Sequence, residues 1–159
     1  MSMEDLSSVL WRERELLDAL LYKLEVEQLV LAGGRTHWLA TAAREIEDVL
    51  EQIRGIELLR SIELDDVAAE LGLEPNPSLH EIADRCEDPW RSIWLDHRAA
   101  FTTVATAITK LSETNRDLLT AGYQAAQATL LSLSEGAGTY SADGSVESDR
   151  RTSLVDRSL

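Results

Sequence analysis

Residues 89–133, PWRSIWLDHRAAFTTVATAITKLSETNRDLLTAGYQAAQATLLSL, decide the architecture of this chain. Steps of four and three from Trp90 land on Trp94, His97, Phe101, Val104, Ile108, Leu111, Asn115, Leu118, Gly122, Ala125 and Thr129, a heptad seam that persists to the end of the stretch. As one helix the stretch is about 67 Å long at ~1.5 Å per residue. Only a partner helix of comparable length, or a helical hairpin plus another molecule, covers such a stripe. Pro89 suits the first turn, where its missing N–H costs nothing.

Upstream, residues 4–32 read as an amphipathic helix. Leu10, Leu17, Leu24 and Leu31 recur every seven residues, with Leu6, Leu20 and Leu21 in the same stripe, while Glu13, Arg14, Asp18, Glu25 and Glu27 fall largely outside it. Gly33-Gly34 comes next. Two glycines inside a helix cost about 2 kcal/mol against alanine, whereas glycine just past a helix end costs almost nothing. The reading is therefore a helical hairpin, with a second helix over 35–60 carrying Trp38, Ala42, Ile46, Val49, Ile53 and Ile56. The alternative is one long helix hinged at the glycines, because Trp38 extends the seven-residue series from Leu31. Asp65 and Asp66 are expected to cap a short helix over 65–71 that stops at Gly72. Ser78, with Glu81 three residues on, opens another over 79–85.

The expected fold is all-α: an elongated antiparallel bundle or coiled coil of three main helices with short connector helices. Residues 1–134 form the helical domain, and 135–159, rich in Ser, Gly and Asp, form a flexible tail. Composition agrees, since 26 Leu and 18 Ala stand beside 5% aromatic residues.

A net charge of −14 and no basic run longer than Arg150-Arg151 argue against nucleic-acid and membrane-surface binding. No apolar run approaches the roughly 20 residues of a membrane span, so no membrane insertion is expected. Cys86 stands alone, which fits a reducing cytoplasm, and its neighbours Glu87 and Asp88 oppose a reactive thiolate. The opening MSMEDLSSVLWRERELL carries acids among its first five residues and no apolar h-region, so no secretory signal is expected. No metal or cofactor is expected: His80-Glu81 lacks a second His one turn on, Asp96-His97 lacks a third ligand, and inward Glu-x-x-His pairs are absent. His97 reads as a packing residue, and the chain as no enzyme.

Acidity is unevenly placed. Residues 1–89 hold 21 acids against 8 bases, and residues 90–134 hold 3 against 4. The last helix is thus nearly neutral, and Leu119, Tyr123, Leu130, Leu131 and Leu133 add apolar area towards its end. With little other chain to bury residues 118–133, a docking surface for an amphipathic segment is expected there. Asn115, a polar residue within the seam, either fixes register and partner number or bonds a neighbouring helix.

In their order, LWRERELLDALLYKLEVEQLVL (10–31), AGGRTHWLA (32–40), REIEDVLEQIRGIELLR (44–60), LGLEPNPSLHEIA (71–83), Pro89-Trp90, TNRDLL (114–119) and TYSADG (139–144) resemble the FlgN-type flagellar export chaperones over about residues 5–145. The resemblance implies a cytoplasmic chaperone without ATPase activity. It binds hook-associated (hook-filament junction) proteins before their export by the flagellar type III apparatus, whose components are possible further partners. It implies client binding through the C-terminal part, at positions matching Asn115, Leu118, Leu119, Tyr123, Leu130 and Leu133. The free chain is expected as a monomer or a homodimer. The competing reading is a homodimeric coiled-coil adaptor or scaffold unconnected with flagellar export.

Overall fold

The computed structural model describes residues 2–140. Four helices succeed one another, α1 (Ser2–Ala32), α2 (Leu39–Leu71), α3 (Leu79–Asp84) and α4 (Trp90–Tyr140), with a 3-10 turn at Thr36–Trp38. The described residues contain no strand. Two compact units meet within α4, the first ending at Asn115 and the second beginning at Arg116.

At the glycines the hairpin forms. Gly34 takes a left-handed φ of 67°, where a side chain is disfavoured. The Arg35 N–H donates to Val30 O at 3.0 Å and the Gly34 N–H to Leu31 O at 3.3 Å, the paired bonds of a Schellman end. The chain then reverses, so that Glu13 meets Arg60 and Lys23 meets Glu45. α1 and α2 are antiparallel. Trp38, expected on the apolar series, lies in the connecting turn and is exposed; the helical register restarts only at Leu39.

α2 does not stop at Arg60. The expected break before Asp65 is absent, because neither Gly nor Pro intervenes between Gly55 and Gly72 and the inward spacing of Ile53 and Ile56 continues through Leu64, Val67 and Ala68. Asp65 is therefore not a helix cap; its Oδ1 accepts the Asn76 N–H at 2.8 Å and ties down the connector. Gly72, at φ 69°, closes α2 with a second Schellman end, Leu73 N–H donating to Ala68 O at 2.8 Å. Ser78 and Glu81 form the expected capping box of α3 through reciprocal bonds of 3.1 and 2.7 Å. α4 runs past the expected end at Leu133 to Tyr140, and residues 141–159 of the expected tail lie outside the described residues.

Two apolar clusters fill the first unit. One joins Leu6 and Leu10 of α1, Leu64 and Val67 of α2, Ile82 and Ala83 of α3, and Trp94 of α4. The other joins Leu16, Leu20 and Leu24 to Ile46, Val49, Ile53 and Ile56, with Ile108 and Leu111 packed against it. Contacts of Leu6 and Leu10 with Trp94, and of Leu24 with Asn115, run in the same chain direction, so α1 and α4 are parallel up to Asn115.

A polar layer lies between the clusters. Glu13, expected on the outer face, is 3% exposed: α1 serves both α2 and α4, which widens its inward face beyond one leucine stripe. Arg60 reaches both Glu13 oxygens at 2.9 and 3.1 Å. His97 is buried among Trp11, Trp94 and Phe101. Arg14, which pairs with Asp96 at 3.1 Å, donates to its Nδ1 at 3.3 Å, which leaves the proton on Nε2, facing Ser7 Oγ.

Burial raises the Glu13 pKa above the usual 4.5, against the opposing pull of Arg60. An acid with a raised folded pKa contributes most below its unfolded pKa, and that contribution is lost as pH rises through the folded one. Arg60→Met leaves Glu13 buried without its counter-charge. It is expected to lower unfolding free energy by about 2 kcal/mol at neutral pH, less than a fully buried pair because Arg60 is partly solvated. The loss shrinks near pH 4, which urea melts at the two pH values measure.

His97 works in the opposite sense. Desolvation, then the nearby Arg14 charge, hold its pKa below 6.5, with Asp96 partly opposing. The neutral ring stabilises the fold above pH 6.5, and stability falls as pH drops from there through the folded pKa. His97→Phe is expected to flatten the decline between about pH 7 and 5; an unchanged slope in thermal melts would exclude His97 as its source.

Candidate functional site

The α4 seam divides at Asn115. Before it, Trp94, His97 and Val104 are buried, and Phe101, Ile108 and Leu111 are half-buried in the bundle. Asn115 itself is 3% exposed. Its Nδ2 donates to Leu24 O at 2.9 Å and to Glu27 Oε1 at 3.1 Å. Asn115 bonds a neighbouring helix, as one of the two roles expected for it requires, and both its amide hydrogens are engaged within the chain.

Beyond Asn115 the side chains are open. Leu118 is half-buried, while Leu119 is 50%, Tyr123 45%, Leu130 39%, Leu131 47% and Leu133 66% exposed. Leu119, Tyr123, Ala126, Leu130 and Leu133 are spaced by four, three, four and three residues, which puts them on one face of α4. Ala126 completes this row and escapes the heptad count, which reaches Ala125 and Thr129 instead. The cause is geometric: a heptad series drifts about 20° per repeat on a straight α-helix, so by the sixth repeat it has left the apolar face.

The row has little polar competition. Residues 118–134 contain no charged side chain, and the Thr129 hydroxyl donates to Ala125 O of its own helix at 3.0 Å. Gln127 Nε2 donates to Tyr123 Oη at 3.3 Å, holding that ring along the helix. Such a face suits an apolar helical ligand. Among the described residues no three His, Cys, Asp or Glu side chains are grouped to hold a metal ion, and no helix is long and apolar enough to cross a membrane.

Bundle and row together define a class: an all-helical protein whose longest helix bears an exposed, uncharged apolar row. The family model described as FlgN protein matches residues 1–148, and the chain belongs to that family, whose role is flagellar export chaperoning. It is a chaperone family and not an enzymatic one. No curated protein and no solved structure matches the chain.

The two halves of the seam are expected to respond differently to substitution. Asn115→Asp removes both donated bonds and sets a carboxylate against Leu24 O and Glu27, which should cost about 2–3 kcal/mol of unfolding free energy in denaturant melts. Leu119→Ser, Leu130→Ser and Leu133→Ser, at exposed positions, should each stay within about 0.5 kcal/mol of the parent.

Proposed function

We propose that this chain binds hook-associated proteins of the flagellum in the cytoplasm, keeps them from associating prematurely, and passes them to the flagellar type III export apparatus. Membership of the FlgN family supports a flagellar export chaperone role. The observation that carries the binding site is the row Leu119, Tyr123, Leu130 and Leu133, open along an uncharged stretch of α4.

Axial proteins that pack through long helices expose apolar helical faces as free monomers, and such faces aggregate. The α4 row covers one of them by helix-to-helix packing, with apolar anchors at the spacing an amphipathic client helix presents. Leu118 edges the contact. Asn115 acts indirectly, clamping α4 to α1 at the point where the row begins. No chemistry is needed.

The test is co-purification with a hook-associated protein. The full chain is expected to retain it, and the triple variant L119S/Y123S/L130S to lose it while its circular dichroism and melting temperature stay those of the parent. Truncation after Asn115, at the end of the first compact unit, should have the same effect. Full client binding by the triple variant would overturn the site. A tight homodimer that the same substitutions dissociate, without client capture, would favour the coiled-coil adaptor reading.

A further inference from the structure

A second apolar surface lies on α2, within the first unit. Leu58, Leu59 and Ile62 are 70%, 50% and 57% exposed. They occupy the side of α2 opposite Ile53, Ile56, Leu64 and Val67, which face the core. Gly55 lies between them and Glu51 with open space above its Cα, so a ligand backbone can approach closely there. The outward strip is thus Glu51, Gly55, Leu58, Leu59 and Ile62, followed by Asp65, Asp66 and Ala69, all exposed.

The rim of this strip is acidic. Among the described residues Glu51, Asp65 and Asp66 form no ion pair with Lys or Arg; Arg54, the base nearest Glu51 in sequence, reaches back to Glu47 at 3.9 Å, and Arg60, the base nearest Asp65, pairs with Glu13. Glu63, beside them, has a raised pKa, first from its own desolvation and then from the negative charges of Asp5 and Asp66. The field here is uncompensated negative charge around an apolar centre.

Charge decides what fits. An anionic lipid surface or a nucleic acid is repelled. A second copy of the chain is disfavoured as well: two α2 helices crossing antiparallel about Leu58 and Leu59 place Glu51 of one against Asp66 of the other. Parallel pairing sets Asp65 against Asp65. Like charges directly opposed cost affinity and select against that partner.

We infer that the outer face of α2 docks a basic amphipathic helix of a protein partner, whose apolar residues cover Leu58, Leu59 and Ile62 and whose Lys or Arg side chains meet Glu51, Asp65 and Asp66. This surface belongs to a different unit from the α4 row and does not depend on what that row binds. It differs in kind too, because a charged rim makes association fast and sensitive to salt.

The probe is a synthetic helical peptide with Leu at positions i, i+3, i+4 and i+7 and Lys elsewhere, beside a twin in which every Lys is Glu. Titrated by fluorescence anisotropy against the full chain carrying L119S/Y123S/L130S, which removes the α4 row as a second site for an amphipathic helix, the Lys peptide is expected to bind, and to weaken about tenfold or more as salt rises from roughly 50 to 300 mM. L58S/I62S should weaken it about tenfold, and D65N/D66N should weaken it and flatten the salt dependence. Equal binding by the Glu twin overturns the inference, as does undiminished binding by L58S/I62S with an unaltered melting temperature. Sedimentation showing a dimer that L58S/I62S dissociates assigns the face to a second copy instead, and overturns it equally.

Discussion

The structure turns on a mismatch of length. α4 has 51 residues and α1, the helix that shields its seam, has 31; at about 1.5 Å per residue these are roughly 76 and 46 Å. Both clusters of the first unit draw on α1, which faces α2 and α4 at once. Leu24 is the last buried residue of α1, and Asn115 binds the backbone there. Past Asn115, α4 keeps the apolar period, and Leu119, Tyr123, Leu130, Leu131 and Leu133 are exposed.

Leucine seams alone leave register weakly specified, since one heptad looks much like the next. The polar groups remove that freedom. Glu13 meets Arg60 at one level only, His97 needs Arg14 and Ser7 together, and Asn115 donates to Leu24 O and Glu27 only where α4 stands at one height against α1. Each is less favourable than a well-packed aliphatic residue would be, yet each makes a one-heptad slip leave a buried charge or amide without its partner. Buried polar groups at spaced levels act here as alignment marks, and the separation of the apolar core into two clusters results from them.

Much of this is legible in residue spacing, because helix period, glycine turns and capping boxes are local properties. Gly34, Gly72 and the Ser78–Glu81 pair mark helix ends in the sequence and in the structure alike. Three features are not legible, for one physical reason: burial on a helix depends on how many neighbours it has. Glu13 reads as exterior while α1 is given a single stripe. Asp65 and Asp66 read as caps because the continuation through Leu64 and Val67 is visible only once α4 and α3 supply a core for it. Trp38 reads as a seam residue until Gly34 turns the chain ahead of it. At the candidate site the large apolar residues stand out in sequence, whereas Asn115 needs the position of Leu24 to define its role.

Neutrality of the α4 row carries its own consequence for a chaperone that must let go. Fully burying an exposed Leu or comparable side chain is worth about 1.5–3 kcal/mol, and Leu119, Tyr123, Leu130 and Leu133 are already about half covered, so they offer about 3–6 kcal/mol before the cost of association, itself about 4–15 kcal/mol. The balance is narrow. Because residues 118–134 are already helical in the free chain and hold no charge, little ordering falls on the chaperone and no desolvated ion pair has to be broken at release. With the α4 row as the proposed client site, a grip built from apolar contact alone loosens one side chain at a time as the client is drawn away.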